Sequence, residues 1–430
     1  MQKTILSCAL LALLGCGNVP QGGLIGGEEQ GNSNSASALS EEMIKEDQAR
    51  LAKLPKIEDW FIKGQRDFAW EMSLEAQKEL GAENFGLSPS SISFCLGMVG
   101  NMAGEDLLKE YVKVLRWTEG KDKANEQYGL SLQWLGAKSH NEMLVANRVF
   151  TNKELPPPPA AFQESLRKYF GGEIQAIDMK SDPKKLVDDW IASKTKDLIK
   201  DGCPALSPTT PMVLVNALYF KGKWALPFNK ESTRPDTFRT VQGQEQVVAF
   251  MNQAEELGYW EDKVAKGVLL PYRGWDFLCY AFMPQDPKMD LGRLMGHLRQ
   301  QENLFSQAWS SNKTVHVSLP KFELKTSFVG RGDKPENPFY RMGLVKSFGS
   351  AADFSLGGLS QGIEVVKHDC VIQFDEEGTV AAASTVAEMK GRGVVAEKPR
   401  EFNANRPFLV VLYHRSSQSM VLVAGINKIK

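Results

Sequence analysis

Chemistry in this chain would have to come from five histidines and six cysteines, and neither set is spaced for it. His140, His297, His316, His368 and His414 include no pair four residues apart with a Glu between them, the pattern that sets two imidazoles around a metal ion. No Gly-x-Ser-x-Gly elbow, glycine-rich phosphate loop or activated nucleophile accompanies them, so a catalytic reading lacks its parts. Cys95, Cys203, Cys279 and Cys370 are widely and irregularly spaced, which yields neither a zinc pattern nor a disulfide framework. Cys95 and Cys370 lie in apolar runs and read as buried small hydrophobes. No cofactor or metal is expected.

The informative segment is Glu376-Glu377-Gly378-Thr379-Val380-Ala381-Ala382-Ala383-Ser384-Thr385, with Arg392 seven residues further on. Every second residue from Thr379 gives Thr379, Ala381, Ala383, Thr385, Ala387 and Met389, an uncharged and mostly small face suited to a crowded sheet. The opposite face carries Glu388 and Lys390, and Gly378 supplies a pivot open to dihedrals that other residues avoid. By itself this pattern is equally an alanine-rich loop or short helix, since alanine is the best helix former.

Distant motifs decide between these readings. The segment resembles the hinge and reactive-centre loop of the serpins, and Phe402-Asn403-Ala404-Asn405-Arg406-Pro407-Phe408 is similar to that family's closing motif. Asn84-Phe85-Gly86-Leu87-Ser88-Pro89-Ser90-Ser91-Ile92-Ser93 resembles the family's early strand-to-helix junction, and Leu214 to Trp224 its most recognisable strand. Val187-Asp188-Asp189-Trp190-Ile191, with Thr195 and Ile199, resembles the helix that crosses the main sheet, and Leu319-Pro320-Lys321-Phe322 a later strand. The likeness runs from about residue 55 to 430.

It implies an α+β serpin fold with a large mixed central β-sheet, additional sheets, eight or nine helices and an exposed loop over about 376–402. It also implies the function of a suicide inhibitor of trypsin-like serine proteases, not an enzyme. The hinge would comprise Glu376, Glu377, Gly378, Thr379, Ala381, Ala383 and Thr385, and the reactive bond would join Arg392 to Gly393, a guanidinium being suited to an acidic specificity pocket. Ser88, Ser91, Asn216 and His368 would cluster as the family's shutter where the sheet opens, with Asn216 as the partner of His368. Trp224 would stand at the breach, where the loop first enters. Val380 replaces the usual Glu on the outward face, where it does not block entry. Other departures are Asn101-Met102-Ala103-Gly104-Glu105-Asp106 in place of a Gly-Ala-x-Gly-x-Thr turn, and Gly330-Arg331-Gly332-Asp333, read as an irregular, exposed turn. The alternative from another class is a serpin-fold binding or adhesion lipoprotein that traps no protease.

Composition agrees with one large extracytoplasmic domain: 430 residues, 42% hydrophobic, 24% charged and a net charge of -1, with no basic stripe that would draw nucleic acid. At the amino terminus Lys3 and the apolar run Ile5 to Leu14 read as a secretory signal over residues 1–15, too short to span a bilayer. Leu13-Leu14-Gly15-Cys16 resembles a bacterial lipobox, which implies diacylation of Cys16 and an anchor at the outer membrane or cell surface. Residues 16–45, rich in Gly, Ser and Asn, read as a flexible tether, and residues 46–430 as the domain, acting as a monomer.

Overall fold

Ser88 shows how local sequence sets the architecture. Its hydroxyl accepts the backbone N–H of Ser91 while Pro89 occupies the first helical turn, where a missing N–H costs nothing. The computed structural model describes residues 44–307, 309, 313–332, 335–359, 361–363, 365–379 and 399–429. The expectations for Cys16, Val380, Ala381, Ala383, Thr385, Arg392, Gly393 and Asp333 fall outside those residues.

Helix α1 (residues 44–51) takes in residues 44 and 45, which the sequence reading leaves in the tether. Helix α2 (Asp59–Leu80) and strand β1 (Phe85–Leu87) lead through the Ser88 cap into α3 (Pro89–Gly100). Ile92, Phe94, Leu96 and Met98 of α3 are all buried, and a helix apolar all round belongs in a core. Then come α4 (Glu105–Val114), α5 (Lys121–Leu135), β2 (Glu142–Asn152), α6 (Ala160–Phe170), β3 (Glu173–Ile177) and α7 (Pro183–Lys194). Gly104 caps α4 without a side-chain bond, its amide donating to the Asp353 carbonyl at 2.8 Å, so the altered turn is held from a distance.

The second half supplies β4 (Met212–Lys223), β5 (Arg234–Arg239), β6 (Glu245–Glu256), β7 (Gly258–Glu261), β8 (Ala265–Pro271) and β9 (Phe277–Pro284). Helix α8 (Leu291–Arg299), β10 (Thr314–Pro320), β11 (Phe322–Arg331) and α9 (Pro338–Met342) follow. The chain closes with β12 (Val365–Phe374), β13 (Gly378–Thr379), β14 (Arg400–Asn403), β15 (Phe408–His414) and β16 (Ser419–Ile426). Nine α-helices and three sheets are thus present among the described residues, in keeping with the expected fold.

The main sheet has six strands in the order β11-β12-β13-β4-β2-β3, mixed because β2 and β3 run parallel. A second six-stranded sheet, β1-β16-β15-β9-β8-β7, carries the most apolar strands: β9 and β15 are buried at every position, as strands covered on both faces must be. The four-stranded sheet β14-β10-β6-β5 completes the set. Two sequence expectations are corrected here. Leu319 to Phe322 is a junction and not one strand: β10 ends at Pro320, and after Lys321 the chain enters β11 in a different sheet. Gly330 and Arg331 lie in β11, opposite Val366 and Val365, and not in an irregular stretch.

Alternate residues of β4 serve two cores. Leu214, Leu218 and Phe220 face the main core beside α3, whereas Val215 and Ala217 join Phe150 and the α7 residues Val187, Trp190 and Ile191 in a smaller cluster. Strand β12 pairs with β11 from Phe374 to Val365, but on its other side meets β13 only at Phe374↔Thr379. Strand β4 in turn meets β13 only at Lys223 and Gly222. Below that two-residue bridge the facing edges of β4 and β12 do not pair with each other, and a cavity of about 300 Å³ lies there over α3.

Candidate functional site

The top of this slot is a turn built by Asp375. Its carboxylate accepts the backbone N–H of Glu377 at 2.9 Å and of Gly378 at 3.2 Å, while its own N–H donates to the Gly378 carbonyl at 3.1 Å. An Asp side chain that imitates a backbone turn reverses β12 into β13 in the fewest residues. Gly378 has φ +154°, and a Cβ there would stand 2.0 Å from the Gly222 carbonyl oxygen. Only glycine permits this approach of two backbones.

Glu376 is 4% exposed, yet its carboxylate accepts from Thr233 Oγ1 at 2.7 Å and pairs with Lys321 Nζ at 2.8 Å. Burial alone would raise its pKa, but Lys321 and Thr233 outweigh burial and hold the carboxyl below its ordinary value. Glu377 pairs with Lys230 at 2.6 Å. The backbone carbonyls of Glu376 and Glu377 accept the N–H groups of Phe228 and Trp224, both at 2.9 Å.

Trp224 is 1% exposed and stacks on Tyr272 with ring centroids 4.4 Å apart, while its indole N–H donates to the Asp375 carbonyl at 2.9 Å. Phe374 meets the same indole edge-on at 5.0 Å. The hydroxyls of Tyr272 and Thr379 share a hydrogen bond of 2.6 Å, and burial raises the phenol well above its usual range, so it remains neutral. Strand β13 and the turn before it are therefore held by one aromatic stack, one buried hydroxyl pair and two backbone carbonyls.

Beneath it, Ser88, Ser91, Asn216 and His368 all line the slot, as the sequence reading gathers them. Their bonding differs from expectation. His368 Nε2 accepts the backbone N–H of Ser88 at 2.9 Å, whereas Asn216 accepts the Ser91 hydroxyl and donates to Asn147 Oδ1 at 2.7 Å. Asn216 and His368 do not pair because they sit on β4 and β12, the two strands that the slot separates. Asn147, which passes the chain of bonds on to the Phe170 carbonyl at 2.7 Å, is a member that alternation along one strand gives no means of finding.

His368 must be neutral to accept that N–H. Burial pushes its imidazole down to about 4 and that of His414, whose Nδ1 bonds Ser417 Oγ at 2.7 Å, down to about 3. The unfolded chain protonates both near pH 6.5, so it binds more protons than the folded chain as pH falls from there. The stabilisation is complete above about pH 6.5 and is lost on acidification towards the folded values. Denaturant unfolding should give a free energy about 2–4 kcal/mol smaller at pH 5 than at pH 7.5, and His368→Gln should flatten the profile. A wild-type profile already flat over that range would mean that solvent reaches both rings.

Cys95, Cys203, Cys279 and Cys370 are free thiols, and burial raises all four, Cys95, Cys203 and Cys370 to about 12, which leaves them unreactive. Among the described residues no three His, Cys, Asp or Glu side chains gather as a metal cluster, and no helix is long and apolar enough to cross a membrane. Asp375, Lys321, Thr233 and Tyr272 escaped the sequence reading. Lys321 lies within the Leu319-Pro320-Lys321-Phe322 motif, but its partner is 55 residues away and nothing local signals the pairing.

A family model described as serpin (serine protease inhibitor) matches residues 63–429. Mouse antithrombin-III is 29% identical over 367 residues, covering 80% of this chain and 76% of the relative. Bovine leukocyte elastase inhibitor is 29% identical over 377 residues, covering 84% and 97% respectively. The crystal structure of a thermophilic serpin, tengpin, in the native state superposes with a TM-score of 0.78 at 25% identity, covering 87% of this chain and 96% of that one. The latent state of tengpin scores 0.73. With the sheet order, the slot and these likenesses in agreement, the chain belongs to the serpin family of serine protease inhibitors.

Proposed function

We propose that this serpin inhibits trypsin-like serine proteases as a suicide substrate, cleaved between Arg392 and Gly393. The observation that carries the proposal is the slot between β4 and β12, with Gly378 and Thr379 already paired at its top. The protease serine attacks the Arg392 carbonyl, the Gly393 amine leaves with a proton, and an acyl-enzyme ester remains. The freed segment then enters the slot as a strand and carries the protease along. Roughly a dozen inserted residues, each gaining about 0.5–1.5 kcal/mol from its hydrogen bonds, supply on the order of 10 kcal/mol. That energy can distort a protease active site before water completes hydrolysis.

The register supports this reading. Thr379 lies opposite Phe374 of β12 and Gly222 of β4, and the same antiparallel count carried downward brings Thr385 opposite both His368 and Asn216. A threonine hydroxyl there would meet the two polar residues that the slot keeps apart. Ala381 and Ala383 would fall on the same face, towards α3.

The test is to mix the purified protein with trypsin and look for an SDS-stable complex whose released peptide begins at Gly393. Arg392→Ala should slow its formation on the order of 100-fold, because the acidic pocket of the protease loses its partner. Cleavage at Arg392 with no complex would sink the trap and leave a serpin-fold binding protein. We further propose that acylated Cys16 anchors a monomer at the outer membrane or cell surface through the tether, a reading supported by Leu13-Leu14-Gly15-Cys16. The mass of the mature amino-terminal peptide checks it.

A further inference from the structure

We propose that the segment from Leu198 to Leu206, between α7 and β4, is a strap across the slot, and that Lys367 of β12 is the positioning residue that fastens it and so sets how fast a strand can enter. This deepens the inhibitor reading and rests on it. The strap starts from a strained turn: Lys196 and Asp197 are consecutive left-handed residues, at φ 49° and 61°, and neither is glycine. Such residues keep that conformation only where their surroundings hold them. Here the Asp197 N–H is tied back to the Ala192 carbonyl at 2.9 Å, and Lys196 pairs with Glu142. Beyond the turn Ile199, Cys203 and Leu206 line the slot together with Asn216 of β4 and Lys367 of β12.

The strap is attached on both sides. Towards α7, Asp188 Oδ1 accepts the Cys203 N–H at 2.7 Å while Oδ2 pairs with Lys184 at 2.5 Å, and Lys184 also pairs with Asp201. Gly202 packs so closely that a Cβ there would stand 2.9 Å from Ile191 Cδ1. Towards β12, the Lys367 ammonium donates to the Asp201 carbonyl and pairs with Asp369 at 3.1 Å. The Lys367 and Asp369 side chains are 18% and 17% exposed, so water and salt screen this contact far less than the Asp201 carboxylate, which is 80% exposed.

Register puts the fastening in the path of the strand. The count that brings Thr385 opposite His368 and Asn216 brings Val386 opposite Lys367 and Val215. Directly opposite residues of neighbouring strands share a face, and Val215 packs with Val187 and Ile191 of α7. Val386 would therefore arrive on the α7 side of the sheet, where Lys367 reaches Asp201. Entry beyond Thr385 breaks that bond and lifts the strap. Strain at Lys196-Asp197 favours the lift, and Lys367 opposes it.

Pulsed hydrogen exchange on the full chain tests both halves. In the uncleaved protein the peptide through Ile199 and Cys203 should exchange at least about fivefold faster in Lys367→Met than in wild type. After mixing with trypsin, β12 peptides should gain protection at least about threefold faster in that variant. Lys367→Arg, which keeps a donor, should restore wild-type rates, and Asp369→Asn, which keeps the bond to the strap, should change them less than about twofold. Unchanged strap exchange in Lys367→Met would overturn the fastening, and a looser strap with unchanged β12 protection would overturn its control of entry. An Asp369→Asn effect as large as that of Lys367→Met would assign the rate to the pair within β12 and overturn the proposal as well. No gain of β12 protection in any form would instead sink the inhibitor reading, and strap exchange in the uncleaved protein would still decide the fastening.

Discussion

On the proposed mechanism, Gly378→Val should convert the protein from a trap into a plain substrate. Cleavage by trypsin should proceed at a rate within about twofold of wild type, since the reactive bond is remote from the hinge, yet the number of inhibitor molecules consumed per protease inactivated should rise at least about tenfold. The reason is local. The backbone angle of Gly378 costs any other residue about 1–3 kcal/mol, and a Cβ would press on the Gly222 carbonyl at 2.0 Å, so the strand cannot pair where insertion begins. Trapping is a race between insertion and deacylation, and about 1.4 kcal/mol on the insertion barrier is a factor of ten in its outcome. Gly378→Ala, with the same angle and a smaller side chain, should fall between. A valine variant that traps as efficiently as wild type would show that the pairing at Gly378 is not the first step.

The second large effect is expected at Glu376→Lys. Wild-type Glu376 is nearly buried and neutralises Lys321 from the adjoining sheet junction. Reversing its charge sets two ammonium groups together and leaves Thr233 without its acceptor. Removing one partner of a buried ion pair costs about 3–5 kcal/mol; because Lys321 is 40% exposed, about 2–4 kcal/mol is the better expectation. In a domain of this size that lowers Tm by roughly 3–5 °C. Glu376→Gln should cost less, because an amide oxygen still accepts from Thr233. Scanning calorimetry on the two variants separates charge reversal from simple loss of charge, and equal Tm values for Lys and wild type would refute the clamp.

What the sequence made legible was periodic or punctuated. The motif through Ser88-Pro89 marked a strand-to-helix junction, where β1 leads into α3, and the run from Leu214 to Trp224 marked a strand, most of it β4. The resemblance grouped Asn216 with His368 as partners, but a motif along one strand does not report the distance between strands, so the slot that separates them could not be read. The Asp375 turn, the Lys321–Glu376 clamp and the Tyr272–Thr379 hydroxyl pair arise where segments far apart in sequence converge. A single sequence carries no signal for such encounters. Lys321 shows this most plainly, since it sits in a local motif although its importance lies in its distant partner Glu376, in the turn before β13.

Among the described residues β4 and β12 do not pair with each other below β13, which has a further consequence, because hydrogen-bonding edges do not ask which chain supplies the strand. On the proposed mechanism the chain's own loop would win by proximity: joined to β12 through a turn of a few residues, it would act at an effective concentration in the millimolar range, far above that of any free neighbour. If the protein is anchored as proposed, lateral crowding on the membrane would erode that advantage. The protein should thus tolerate dilution indefinitely and surface density only up to the point where a neighbour's strand becomes as local as its own.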